Sequence, residues 1–334
     1  HSFPTRRSSD LTDLFNKLTE AVVDSNNVVI VPATQITFIS KLDFFKFGAF
    51  AQVSKNFFND KLLVSSGVRS DMNSLTTTGM NPLETISPRL SVAYTVRPKV
   101  EVSASIGSYY KLPAYTVLGY RNNANELANV SAQYIQSTHY VVGAQYLPNS
   151  ALRITVEGFY KKYANYPVSL LTGISLANQG QEFGAVGNEA VQSTGVGETY
   201  GFEVFVQKKL IKKVFYFVSY TYVRSKFSGL NGVLLPSAWD NQHLLSGTLG
   251  YKLKNNWQLG AKYRLAGGVP YTPFDLTASQ QNFVLLGTGT LDYNKINSER
   301  LTAFSQLDLR VDKTWNYKKT SMVFFIDIQN ILGT

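Results

Sequence analysis

The side chains of this sequence best suited to chemistry are few and scattered. There is no cysteine, so neither a thiolate nucleophile nor a Cys-based metal site exists. The histidines are His1, His139 and His243. Asp240 and His243 have a spacing that a metal could use, but two ligands without Cys or Glu support fall short of a zinc centre. Their plainer reading is a hydrogen-bonded pair at a strand end. Ser131 and Ser137 lie near His139, the combination a barrel esterase would need, because Ser and His can meet on neighbouring strands. Nothing around either serine marks it as activated. No Gly-rich phosphate loop of either common spacing occurs, so nucleotide chemistry is unsupported. The expectation is a protein that is not an enzyme and carries no cofactor or metal.

Charged residues are the other candidates. The net charge is +10, but it is dispersed, with no basic block longer than pairs such as Lys212 and Lys213. A nucleic-acid partner needs clustered cations along a face, and none is patterned here. Glu157, Glu203, Arg264, Asp308 and Arg310 instead fall on the polar parity of alternating stretches. Their positions can be read only through the elements that carry them.

Apolar residues make up 44% of the chain and charged residues 16%, with 20 Tyr and 21 Phe. A typical soluble domain has about 25% charged residues. A membrane helix needs about 20 consecutive apolar residues, and the apolar runs here are far shorter. A closed β-barrel satisfies its backbone groups in lipid equally well. From about Lys46 onward the sequence alternates in polarity over stretches of roughly 10 to 13 residues, the length of tilted membrane strands. In 304–315, Gln306, Asp308, Arg310 and Asp312 share one parity, and Leu307, Leu309, Val311 and Trp315 the other. The same holds in 257–265, 100–106 and 153–158.

Alternation alone also fits a soluble sandwich. The links decide: short connections at 55–60, 97–98, 148–149, 210–213, 253–256 and 316–319 alternate with long ones at 73–85, 112–136, 165–197, 227–239 and 267–303. One rim with short turns and another with long loops is the order of an outer-membrane barrel. The expected fold is all-β, a transmembrane antiparallel up-and-down β-barrel, partial, with about 12 to 14 strands. Parity turns Glu157, Glu203, Arg264, Asp308 and Arg310 towards the lumen, as contacts for what fills it or as a salt-bridge ladder along the wall. Trp239, Tyr271 and Asp275 fall in long, extracellular links. Aromatics at strand ends (Tyr109, Tyr110, Tyr160, Tyr163, Trp239, Trp257, Trp315) suit interfacial girdles.

The N-terminal part is less patterned. No signal peptide is visible. Residues 1–10 fit no later pattern and are set aside as a non-native assembly scar. Residues 11–45 read as a loop or the remnant of a preceding strand. Within them 11–23 suits a short amphipathic helix or an outer loop, and 28–39 suits a strand. Residues 46–334 carry the barrel pattern. A last strand at 321–330 runs outward, so at least one closing strand is expected beyond it.

Six stretches carry a resemblance: SPRLSVAY (87–94), EGFYKKYANYP (157–167), YGFEVFVQKKL (200–210), SAWDNQH (237–243), GGVPYTPFD (267–275) and ERLTAFSQLDLRVDK (299–313). In this order and spacing, from about residue 44 to the end, the chain resembles the barrel portion of TonB-dependent receptors of the Bacteroidetes type. The resemblance implies a barrel of about 22 strands plugged by an N-terminal domain, in the outer membrane of a Gram-negative bacterium. It further implies import of a scarce solute (siderophore, cobalamin, glycan or peptide) driven through TonB. The implied partners are outer-membrane lipid, the plug, the TonB energy-coupling complex, a small solute and a surface lipoprotein. Neither plug nor TonB box is found in the sequence. The alternatives are a passive porin or surface adhesin barrel, and a soluble β-sandwich binding module.

Overall fold

The computed structural model describes residues 6–19, 22–23, 29–31, 34–180, 187–286 and 289–333, with side chains from 41 onward except 284–286. The strands in chain order are β1 (Arg6–Thr19), β2 (Val22–Val23), β3 (Val29–Val31), β4 (Thr34–Phe57), β5 (Leu62–Asn73) and β6 (Ser87–Arg97). Next come β7 (Val100–Lys111), β8 (Ile135–Asn149), β9 (Leu152–Ser169), β10 (Val191–Ile211), β11 (Val214–Ser228) and β12 (Leu234–Pro236). The last six are β13 (Gln242–Lys252), β14 (Trp257–Ala266), β15 (Pro270–Tyr271), β16 (Glu299–Arg300), β17 (Phe304–Asn316) and β18 (Ser321–Ile328). Two α-helices, α1 (Tyr115–Leu118) and α2 (Leu276–Leu286), lie in long links. No helix among the described residues is long and apolar enough to cross a membrane.

One 14-stranded sheet runs β1-β4-β5-β6-β7-β8-β9-β10-β11-β13-β14-β17-β18, with β12 added beside β11. Each long strand pairs with the next long strand along the chain, the short β2, β3, β12, β15 and β16 lying in the links between them, and all pairings are antiparallel. Links 98–99, 150–151, 212–213, 253–256 and 317–320 are short and those between them long, as the sequence indicates.

The register carries a single polar face across the sheet, because directly opposed residues share a side. One row runs Ser103, Gly143, Glu157, Glu203 and Thr221, and another joins Thr248, Lys262 and Asp308. The other side is apolar: Ile106, Tyr140, Tyr160 and Tyr200 form one row, and Leu249, Ala261, Leu309 and Ile328 another. On this side nothing packs. Val142 is 63% exposed, Leu249 49%, Leu309 40% and Ile326 55%. A β-sandwich would seal these side chains under a second sheet, and none of the described elements does so. Each square ångström left in water forgoes roughly 25 cal/mol of burial, so the face calls for an apolar solvent.

The compact packing lies at the long-link end. Leu42 and Phe44, on the polar parity of β4, are buried against Leu112, Leu118, Ala132 and Tyr134. The 112–134 link therefore folds over the polar face. A second cluster joins Val117 to Leu176 and Val191.

Three expectations are corrected. The strand preceding 47–54 is β1 rather than a segment within 28–39; from Thr34 onward the chain already belongs to β4, a strand of 24 residues. Residues 11–19 are likewise strand, not helix or loop. Leu11, Leu14, Phe15 and Leu18 are spaced for a helix face, and pairing to β4 overrides that local signal. The ladder slips between Ser8 and Leu11, at the edge of the segment set aside as a scar. Third, Tyr109 and Tyr163 sit on the polar face, opposite Ser137 in register. Of the aromatics proposed for girdles, Tyr160, Trp257 and Trp315 occupy the apolar face.

Candidate functional site

The strands hold the five charged residues singled out by parity on the polar face, in two groups. Glu157 and Glu203 are directly opposed across β9 and β10. Like charges in direct register repel, and the nearest relief is weak: Ser219 and Thr221 hydroxyls approach the Glu203 carboxylate at 3.5 Å. Glu101 and Arg153 line the same recess of about 220 Å³. The second group lies on β14 and β17. Arg264 reaches Asp308 at 4.0 Å, Gln306 donates to Asp308 at 2.7 Å, and Arg310 pairs with Asp312 at 2.8 Å and lies 4.0 Å over the Phe325 ring. These cations are partnered within the wall. The two groups do not touch.

A third group on this face escaped parity reading. Arg89 lies 4.4 Å over the Tyr109 ring, and the Tyr109 and His139 rings lie against each other at a 34° tilt with centroids 4.4 Å apart. Gly107, between Arg89 and His139 in register, makes the stack fit. A Cβ there would stand 3.1 Å from Arg89 Cγ and 3.2 Å from the Tyr109 hydroxyl. His139 Nε2 is 2.8 Å from Ser137 Oγ. Among the described residues no acid orients the imidazole as a triad requires; its opposite number in register is Lys161. Ser131 is exposed in the 112–134 link. Tyr134 accepts a hydrogen bond from Asn73 Nδ2 at 3.2 Å, and burial, the largest influence, pushes its phenol up.

The long links converge through one buried carboxylate. Asp240 is 0% exposed and accepts from the Ser225 amide at 2.7 Å and from Arg300 Nη2 at 2.5 Å. Arg224 Nε stands 3.3 Å away, without the alignment of a hydrogen bond. Arg300 Nη1 also donates to the carbonyls of Asp240 at 2.5 Å and Gly268 at 3.0 Å. Beside it, Asn297 Nδ2 donates to the Asn178 and Pro236 carbonyls at 3.0 and 2.7 Å. Thus SAWDNQH, GGVPYTPFD and ERLTAF, three of the stretches that carry the resemblance, meet at one ion cluster. His243 is elsewhere: its Nδ1 is 2.8 Å from the Tyr220 hydroxyl. The Asp240–His243 pair is not formed. Of the residues placed in long links, Trp239 packs 5.7 Å from Phe227, Tyr271 pairs with Glu299, and Asp275 caps α2 by accepting from the Ala278 amide at 3.0 Å.

Residues 6–331 match the family model described as TonB dependent receptor-like, beta-barrel. The chain belongs to that family. Solved structures agree in fold. The P. aeruginosa receptor FpvA bound to heterologous pyoverdines is 16% identical with a TM-score of 0.62, covering 92% of this chain and 37% of that one. The ferric-catecholate import receptor Fiu from E. coli, closed form, is 12% identical, TM-score 0.60, covering 90% and 42%. The alcaligin outer membrane receptor FauA from Bordetella pertussis is 10% identical, TM-score 0.55, covering 89% and 45%. No curated protein matches the chain in sequence. The chain thus spans well under half the length of these receptors. TonB-dependent receptor barrels are outer-membrane receptors rather than enzymes.

Proposed function

We propose that this chain forms part of the wall of an importer in the outer membrane of a Gram-negative bacterium. The importer takes a scarce solute from the side of the long links and passes it inward with energy supplied through TonB. One observation carries the reading: an apolar side left open to solvent, backed by a polar side, persists in register from β4 to β18. Hydrocarbon covers the first face and an aqueous lumen the second. The outermost strands, β1 and β18, are edges that further strands of a longer receptor would close, since unpaired backbone is not tolerated in lipid. In that receptor Glu157 and Glu203 face cations of a plug, which relieves their repulsion. Arg264, Asp308 and Arg310 form a salt-bridge ladder that holds the wall. Residues 6–10 enter the wall as the start of β1, and residues 1–5 lie outside the described ones. A passive porin would share the wall, and no feature of the described residues favours it.

Single cysteines at Leu309 and Arg310, labelled with a water-soluble thiol reagent in the longer receptor reconstituted in lipid vesicles, test the facing. Arg310→Cys is expected to react and Leu309→Cys to be protected. Equal reactivity at both positions contradicts the reading.

A further inference from the structure

At the long-link end of the polar face, a recess of about 410 Å³ is lined by Lys46, Arg69, Arg89, Lys111, Tyr109 and Tyr134, with Asp71 as its acid. Asp71 is fully engaged: it accepts from Arg69 Nε at 2.6 Å and Nη2 at 2.5 Å. Lys46 donates to the Tyr115 hydroxyl at 3.3 Å. Arg89 rests on Tyr109, and neither Arg89 nor Lys111 has a carboxylate partner among the described residues. This departs from β14 and β17 on the same face, where Arg264 and Arg310 each have one. Next to the recess, Arg89, His139 and Lys161 share one row of the register, separated only by Gly107. The 112–134 link closes one side by packing Leu112 and Tyr134 on Leu42 and Phe44.

We infer that this recess binds a small polyanion through carboxylate or phosphate oxygens, with Arg89 and Lys111 as principal contacts and Tyr109 as a flat wall. Several uncompensated cations facing one concavity repel one another and raise the local concentration of anions. A guanidinium held over a ring by its carbon still has N–H groups to offer for bidentate recognition. Gly107 is part of the device, because a Cβ there would stand 3.1 Å from Arg89 and 3.2 Å from Tyr109, so both side chains would have to give by a few tenths of an ångström. The inference rests on the importer reading and narrows its solute to an anionic class.

The test uses the longer receptor that contains this chain, folded in detergent micelles and titrated separately with citrate and pyrophosphate by calorimetry. At least one probe should bind, with affinity falling as salt rises. Arg89→Gln combined with Lys111→Gln should weaken it by about tenfold or more, the scale of one lost charge-assisted contact. Lys318→Gln, in the 317–320 turn at the far rim, should leave it unchanged. The stronger probe distinguishes a carboxylate-bearing from a phosphate-bearing solute. If the double variant does not fold, Arg89→Lys and Lys111→Gln singly take its place; the first keeps the charge and should bind more tightly than the second. Binding of neither probe, or binding indifferent to these variants, overturns the inference. Thiol labelling at 309 and 310 separates the two failures: unequal reactivity with no binding removes only the anion site, and equal reactivity removes the importer reading.

Discussion

Replacing Asp240 by Ala should loosen the long-link rim while leaving the wall intact. The carboxylate is 0% exposed and serves the Ser225 amide, Arg300 and Arg224. Removing one side of a buried ion pair costs about 3 to 5 kcal/mol, chiefly because the surviving charge stays unpaired. Here the arginine side chains keep 25% and 28% of their exposure, and Arg300 retains its bond to the Gly268 carbonyl. Water can partly replace the acid, which puts the expected loss near the lower end, about 3 kcal/mol. Asp240→Asn can still accept from Ser225 but sets an amide against two guanidinium groups, and should lose about 2 kcal/mol. Denaturant unfolding in lipid vesicles gives the global value, and hydrogen exchange at the Ser225 amide gives the local one. The loss should shrink by about 1 to 3 kcal/mol in an Arg300→Ala background, since the two residues act on one cluster. Unchanged protection of Ser225 in Asp240→Ala, or the same loss with and without Arg300, would refute the claim that this carboxylate ties the links together.

Two further outcomes follow from the wall. Leu309→Arg should lower stability in vesicles by about 2 to 4 kcal/mol, the cost of an arginine on the lipid side near the bilayer midplane; Gln306→Arg on the polar side of β17 should be close to neutral in the same unfolding assay. At Gly250 an added Cβ would land in the Phe215 ring, so Gly250→Ala should cost about 1 to 3 kcal/mol by overpacking, visible as a lower unfolding midpoint with the fold retained by circular dichroism.

The wall was legible in the sequence because its information is local. Side-chain direction in a strand has period two, so Glu157 and Glu203 could be placed on one face by counting from Val156 and Val204. Link lengths supplied the topology. Local patterning fails where one side chain has two equivalent choices or where its partner is remote. Tyr109 and Tyr110 are adjacent, and nothing in YY says which ring faces the lumen; the register with Ser137 and the space above Gly107 decide it. Asp240 and Arg300 are 60 positions apart, and between them lie three strands and a helix. Within SAWDNQH nothing shows that Asp240 will be met by Arg300 of ERLTAF.

Those two failures share a cause that bears on function. Period-two patterning constrains residues that meet lipid or water as solvents, and such residues are exchangeable within a polarity class. Arg89, Tyr109 and Gly107 meet one another, and so do Asp240, Arg300 and Gly268. A different residue of the same polarity at any of these positions would keep the alternation and lose the contact. Specific work on a barrel of this kind is therefore expected where the register brings unlike positions together at the long-link end. That is where the recess with Arg89 and Lys111 and the buried acid are both found, while at the short-turn rim a cation such as Lys313 is spent on the Asn255 carbonyl and the Trp257 and Trp315 rings.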